Sequence, residues 1–246
     1  FGTYMARAAV RILPDSKKED DEDLRLKYIR PFDSSYAVGN SPIAVAQVKD
    51  EVNRMLDMVS KNIGDAFDTL IKYDEKSRQK VEEREEYIDY LNKGISEYIV
   101  SLMSGEMNAD DSRKINGYYA IISNLERIGD HATNIAEYAD DMKKWDLQFS
   151  DNVLDELEEM KKQCIASLEN VKNVEPADTG RILSQAEVLE QKTDDMRDKY
   201  FKKQMQRLKK GKCKPQSGIV FSEVLTDFER MGDHALNIAQ QYKEMG

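Results

Sequence analysis

The string ERIGDHATNIAE at Glu126 to Glu137 recurs as ERMGDHALNIAQ at Glu229 to Gln240, an offset of 103 with nine of twelve positions identical. A chain that repeats itself at this distance is built from two copies of one structural unit. The repeat reaches further upstream. Val48, Val52, Met55, Val59 and Ile63 fall opposite Val153, Leu157, Met160, Cys164 and Leu168 at an offset of 105. Spacings of four and three put each set on one stripe of a helix. The two residues lost in the second copy fall around GKCKPQSG.

Each copy reads as three helices. In the first, Ser41 is a candidate cap with Pro42 at the first helical position and a helix running to near Tyr73. A second helix follows from about Glu75 to Ser104 and stops at Gly105; a third runs from Asp110 or Asp111 to near Trp145. In the second copy Ser150 caps a helix to about Val171, Pro176 breaks the chain, Asp178 starts a helix to Lys210 before Gly211, and Ser217 to Met245 forms the last. No segment alternates at period 2, so no sheet is expected. With 34% charged residues, 12 Gly and 5 Pro, the composition agrees with an all-α fold. The expectation is two tandem three-helix bundles, 41–147 and 148–246, each up-down-up with its own core, behind a segment and linker at 1–40.

Charge and cysteine usage exclude several classes. A net charge of -10 repels a polyanion, so nucleic acid is not expected as a partner. Cys164 and Cys213 form no CxxC or Cys/His spacing and read as free thiols of a reducing compartment. No run of 18 apolar residues spans a membrane, and no phosphate-cradling Gly loop or nucleophile elbow is visible.

The repeated string opens with Glu-x-x-x-Asp: Glu126 with Asp130, and Glu229 with Asp233. Carboxylates four apart share a helix face and repel unless something positive lies between them. In a chain with 47 acids, chance alone supplies about nine such pairs, so a single pair says little. Recurrence changes that. The offset of 105 aligns Glu85 and Asp89 with Glu190 and Asp194, so each bundle carries the motif on two adjacent helices. Glu126 and Asp130 flank the stripe of Ile121, Leu125, Ile128, Ala132 and Ile135, with Asn134 extending their row, and Glu85 lies between Val81 and Ile88. Four carboxylates at a partly dry seam need a counter-charge, and hard oxygens from facing helices suit metal ions. His131 and His234, the two histidines of the chain, each follow the motif's Asp and, with Asn134 and Asn237, are candidates to orient ligands. Gly129 and Gly232 suggest a close approach to the backbone.

The strings ERIGDHATNIAEYA and ERMGDHALNIAQ, preceded by SNL and TDF, resemble the signature of the PhoU family over about Ile43 to the end. That resemblance implies paired three-helix bundles whose E(D)xxxD motifs hold multinuclear clusters of divalent or trivalent metal, iron or zinc. By position, Glu85, Asp89, Glu126 and Asp130 would ligate one cluster and Glu190, Asp194, Glu229 and Asp233 the other. The second copy departs from the first: Gln240 replaces the acid at Glu137, and Thr193 and Asp194 stand in a less apolar context than Ile88 and Asp89. The resemblance further implies a non-enzymatic regulator whose partner is a membrane transporter domain or subunit, with self-association left open.

The upstream stretch RLKYIRPFDSSYAVGNSPIAVAQVKDEVNRM is similar to the linker and first helix behind the membrane region of bacterial sodium/phosphate cotransporters. Phe1 to Leu13 is apolar, acid-free and carries Arg7 and Arg11, in keeping with a juxtamembrane segment. An amphipathic helix packed on the core reads equally well from these residues. The expectation is a cytoplasmic domain at the inner face of the bacterial plasma membrane, attached to such a cotransporter. The alternatives are a free-standing regulator and a carboxylate-bridged di-iron enzyme, although that enzyme class uses Glu-x-x-His and here Glu126 and His131 are five apart. The seven basic residues between Lys202 and Lys214 read first as a complement to a helix C-terminus and second as a docking patch for an anionic membrane or partner.

Overall fold

A computed structural model describes residues 24–29 and 41–246. Six α-helices run in order: α1 Ser41–Ile71, α2 Glu75–Met103, α3 Ala109–Lys144, α4 Asp151–Asn170, α5 Thr179–Lys209 and α6 Pro215–Met245, with a single 3-10 turn at Pro176–Asp178 and no strand among the described residues. Local chemistry sets several ends. The Asp74 carboxylate accepts the Ser77 N–H at 2.8 Å to start α2, and Asn108 accepts the Asp111 N–H at 2.8 Å to start α3. Lys143 and Lys144 close the negative end of α3. Gly211 turns the chain out of α5 at φ 62°, where a side chain would be strained. Ser150 and Asp178 hold cap positions without a side-chain cap bond, and the Ser41 hydroxyl donates to the Asp111 carboxylate rather than to its own helix.

The repeat is visible in burial. Val81, Ile88, Leu91, Ile95 and Ile99 of α2 have buried counterparts 105 residues on in Ala186, Thr193, Met196, Tyr200 and Gln204 of α5. On α3 and α6 the offset of 103 pairs Tyr118 with Phe221, Leu125 with Phe228 and Ile135 with Ile238. The α1–α3 and α4–α6 groups form the two expected bundles. Their cores, expected to be separate, merge into one continuous cluster, because α3 packs on α6 and α1 on α4. Phe67, Tyr200, Phe221 and Phe228 are all fully buried within it.

Polar contacts across the α3–α6 face are reciprocal. His131 Nδ1 lies 2.7 Å from Asp227 Oδ1, and His234 Nδ1 lies 2.9 Å from Asn124 Oδ1. Asn134 donates to Asp227 at 3.2 Å, and Asn237 to Asn124 at 3.4 Å. Residue a touching b′ while b touches a′ is the mark of a two-fold relation, so the copies are related by a rotation and the two helices are antiparallel. The two imidazoles stack at the axis with centroids 5.7 Å apart.

Residues 24–29, within the span read as a linker, lie against the first bundle. The buried Glu51 accepts the N–H groups of Lys27 and Tyr28 at 2.9 and 2.7 Å, while Arg54 and the Tyr87 hydroxyl donate to the Arg25 carbonyl at 2.8 and 3.0 Å. Phe1 to Leu13 and the rest of the linker fall outside the described residues.

Candidate metal centre

In the first bundle α2 and α3 come close enough for Ile88 to touch the backbone at Gly129, where an added Cβ would lie 3.4 Å from Ile88 Cγ2. The second bundle is tighter: a Cβ on Gly232 would lie 2.9 Å from Thr193 Cγ2. The close approach inferred for these glycines is therefore made by the neighbouring helix.

That approach brings the carboxylates of two helices together. Glu85, Asp89 and Asp130 offer oxygens that all lie within 4.8 Å of one another. Glu126 flanks them and helps line a cleft with Glu85, Asp130, Arg127, Thr133, Asn134, His131 and, from α6, His234. Glu85 and Glu126 are half-buried, whereas Asp89 and Asp130 open to solvent. Loss of water first, then the Asp89 and Asp130 charges, push the Glu85 carboxyl up to about 7. Glu126 and Asp130 are raised for the same reasons, with Arg127 acting the other way on both and His131 also on Asp130. None of the four has an ion-pair partner among the described residues. One turn on from Asp89, the Asn92 Oδ1 is buried without a hydrogen-bond donor among them. Hard carboxylate oxygens from two helices, crowded enough to raise one another's proton affinity, are a donor set that fits a small cation.

The second set assembles differently. Glu190 is raised by lost water and then by Asp194, Asp233 and Glu229, so all four acids are neighbours. Here, however, Arg197 of α5 donates to Glu229 at 2.8 Å, and Arg230 approaches Asp233 at 3.5 Å. Among the described residues, Glu85, Asp89 and Asp130 are the one group that meets a metal-ligand spacing.

Both histidines line the cleft with one nitrogen engaged across the interface. Their Nδ1 atoms face Asp227 and Asn124 across the two-fold, so their visible role is to join the bundles beside the cleft. Burial and the charges of His131, Arg127 and Arg230 hold His234 down to about 4, so it stays neutral at ordinary pH. Asp227, buried and also accepting from Tyr138 at 2.8 Å, escaped the sequence reading. Its signal was there: Asn124 and Asp227 stand at the repeat offset of 103, three residues before the Arg shared by both copies and in the middle of the SNL and TDF flanks.

Two three-helix bundles joined about a two-fold, each with carboxylates gathered across two helices, define a doubled helical-bundle protein with acidic seams. A profile of the PhoU domain matches residues 52–139 and again 152–242, and the chain belongs to the PhoU domain family. The phosphate-specific transport system accessory protein PhoU homolog 1 of Thermotoga maritima is 26% identical over 202 residues, covering 81% of this chain and 86% of that protein. The Clostridium acetobutylicum homolog is 27% identical over 199 residues, covering 79% and 88%. In structure, PhoU from Pseudomonas aeruginosa superposes with a TM-score of 0.73 at 21% identity, covering 83% of this chain and 97% of that one, a likeness of fold.

Proposed function

We propose that this chain is a regulatory accessory of phosphate transport that binds a divalent or trivalent cation, iron or zinc, at the α2–α3 seam of its first bundle and acts on a membrane transporter from the cytoplasmic side. Family membership across both halves supports the regulatory part, together with relatives described as accessory proteins of phosphate-specific transport systems. Those relatives match over most of their own length, which supports an accessory acting on a separate transporter over the tail of a sodium/phosphate cotransporter. No described helix is long and apolar enough to cross a membrane.

The observation that carries the cation part is the convergence of Glu85, Asp89 and Asp130, none of them in an ion pair among the described residues. A bound ion supplies positive charge there, and more than one ion suits a set this rich in oxygens. The protein's own residues do the rest: Glu85 and Asp89 fix one side on α2, Glu126 and Asp130 fix the other on α3, and Gly129 lets the helices approach. The di-iron enzyme reading is weaker, because both histidines direct Nδ1 across the bundle interface.

The test pairs metal analysis with complementation. In cells lacking this chain, wild type restores control of phosphate uptake and purifies with metal, whereas Asp89→Ala with Asp130→Ala does neither. Full complementation by a metal-free double variant would overturn the reading.

A further inference from the structure

The repeat offset of 105 that aligns α2 with α5 puts Asn92 opposite Arg197. In the first bundle this position carries a buried oxygen with no donor among the described residues; in the second it carries a guanidinium that reaches Glu229 at 2.8 Å and also touches Asp198 at 2.8 Å. Arg127 and Arg230 are equivalents at the offset of 103, so the residue type there is the same in both copies, although only Arg230 approaches its Asp among the described residues, at 3.5 Å.

We infer that the residue at this one position decides which bundle takes a metal: Asn92 leaves the first seam open to a cation, whereas Arg197 closes the second with a positive charge of its own. The inference rests on the first seam being a cation site, and it disagrees with the family expectation of one cluster per bundle. A guanidinium beside Glu229 and Asp194 does what an ion would do. It supplies charge to the carboxylates, and as a permanent cation it repels a second one from the same oxygens. The Arg197 side chain is about one-third exposed; its Nε is buried, and its terminal nitrogens reach Glu229 and Asp198.

One bundle is thus closed by an ion pair from its own chain and the other only when an ion is present. The conditional bundle is the one whose α2 also carries Tyr87, the residue that holds Arg25 of the upstream segment. A change at the first seam therefore has a route to that segment which the second seam lacks, because Lys192 stands at the position equivalent to Tyr87.

The experiment is a reciprocal exchange read by manganese(II) binding, with stoichiometry from EPR of free ion and folding checked by circular dichroism. Asp130→Ala and Asn92→Arg should each weaken binding about tenfold or more, while Asp233→Ala stays within about twofold of wild type. Arg197→Asn, at a site about one-third exposed, should create a second class of site and raise bound manganese about twofold; adding Asp233→Ala to it should return the count to wild type. Equal losses for Asp130→Ala and Asp233→Ala, or no gain from Arg197→Asn in a metal-binding protein, would overturn this inference and leave the first site standing. If wild type and Arg197→Asn both bind no manganese, the cation reading itself fails and this one with it.

Discussion

Replacing Glu85 by Gln isolates the electrostatic cost of the open seam. In the folded chain the Glu85 carboxyl titrates near 7, against 4.5 for the same group in the unfolded chain. Because the folded state holds the proton more tightly, the protonated group contributes its full stabilisation below about 4.5, and that contribution is lost as pH rises through 7. At roughly 1.36 kcal/mol per pH unit, the ceiling is about 3.4 kcal/mol. Glu85 is only half-buried, so water and salt screen its neighbours, and about 1–2 kcal/mol is the expected size. Urea unfolding of chelator-treated protein at pH 5 and pH 8 measures it. Wild type should lose about 1–2 kcal/mol more than Glu85→Gln between those two conditions, and manganese(II) at pH 8 should restore wild type but not the variant. If both proteins lose the same stability, Glu85 is solvated surface and the seam carries no stored repulsion.

Two further outcomes test the packing. Gly64→Ala in α1 meets nothing within 4 Å and should gain about 0.5–1 kcal/mol in thermal or urea unfolding, whereas Gly232→Ala forces a Cβ to within 2.9 Å of Thr193 and should lose about 1–2 kcal/mol. Asp227→Ala strips the acceptor shared by His131, Asn134 and Tyr138 and should cost about 2–4 kcal/mol, while Asp227→Asn, which copies Asn124 at the equivalent place, should cost less than half as much by the same measurement.

The helices, their ends to within about two residues and the grouping of carboxylates on α2 with those on α3 were legible in the sequence, because they depend on local rules. A period of 3.6 residues sets which side chains share a helix face, and caps, Gly and Pro set where a helix stops. The internal repeat added a rarer kind of information. It let Glu85 and Asp89 be chosen over other acidic pairs by their recurrence at Glu190 and Asp194. What only the tertiary structure decided was everything that depends on which faces meet. The rotation relating the copies, and with it the assignment of His131 to Asp227 and His234 to Asn124, joins residues 96 and 110 apart, a separation that no helical period encodes. The same holds for the merged core, the grip of Glu51 on Lys27 and Tyr28, and the reach of Arg197 to Glu229. In sequence Asn92 and Arg197 are ordinary polar residues; in the fold Arg197 reaches Glu229 of α6, while the Asn92 oxygen is buried without a donor among the described residues.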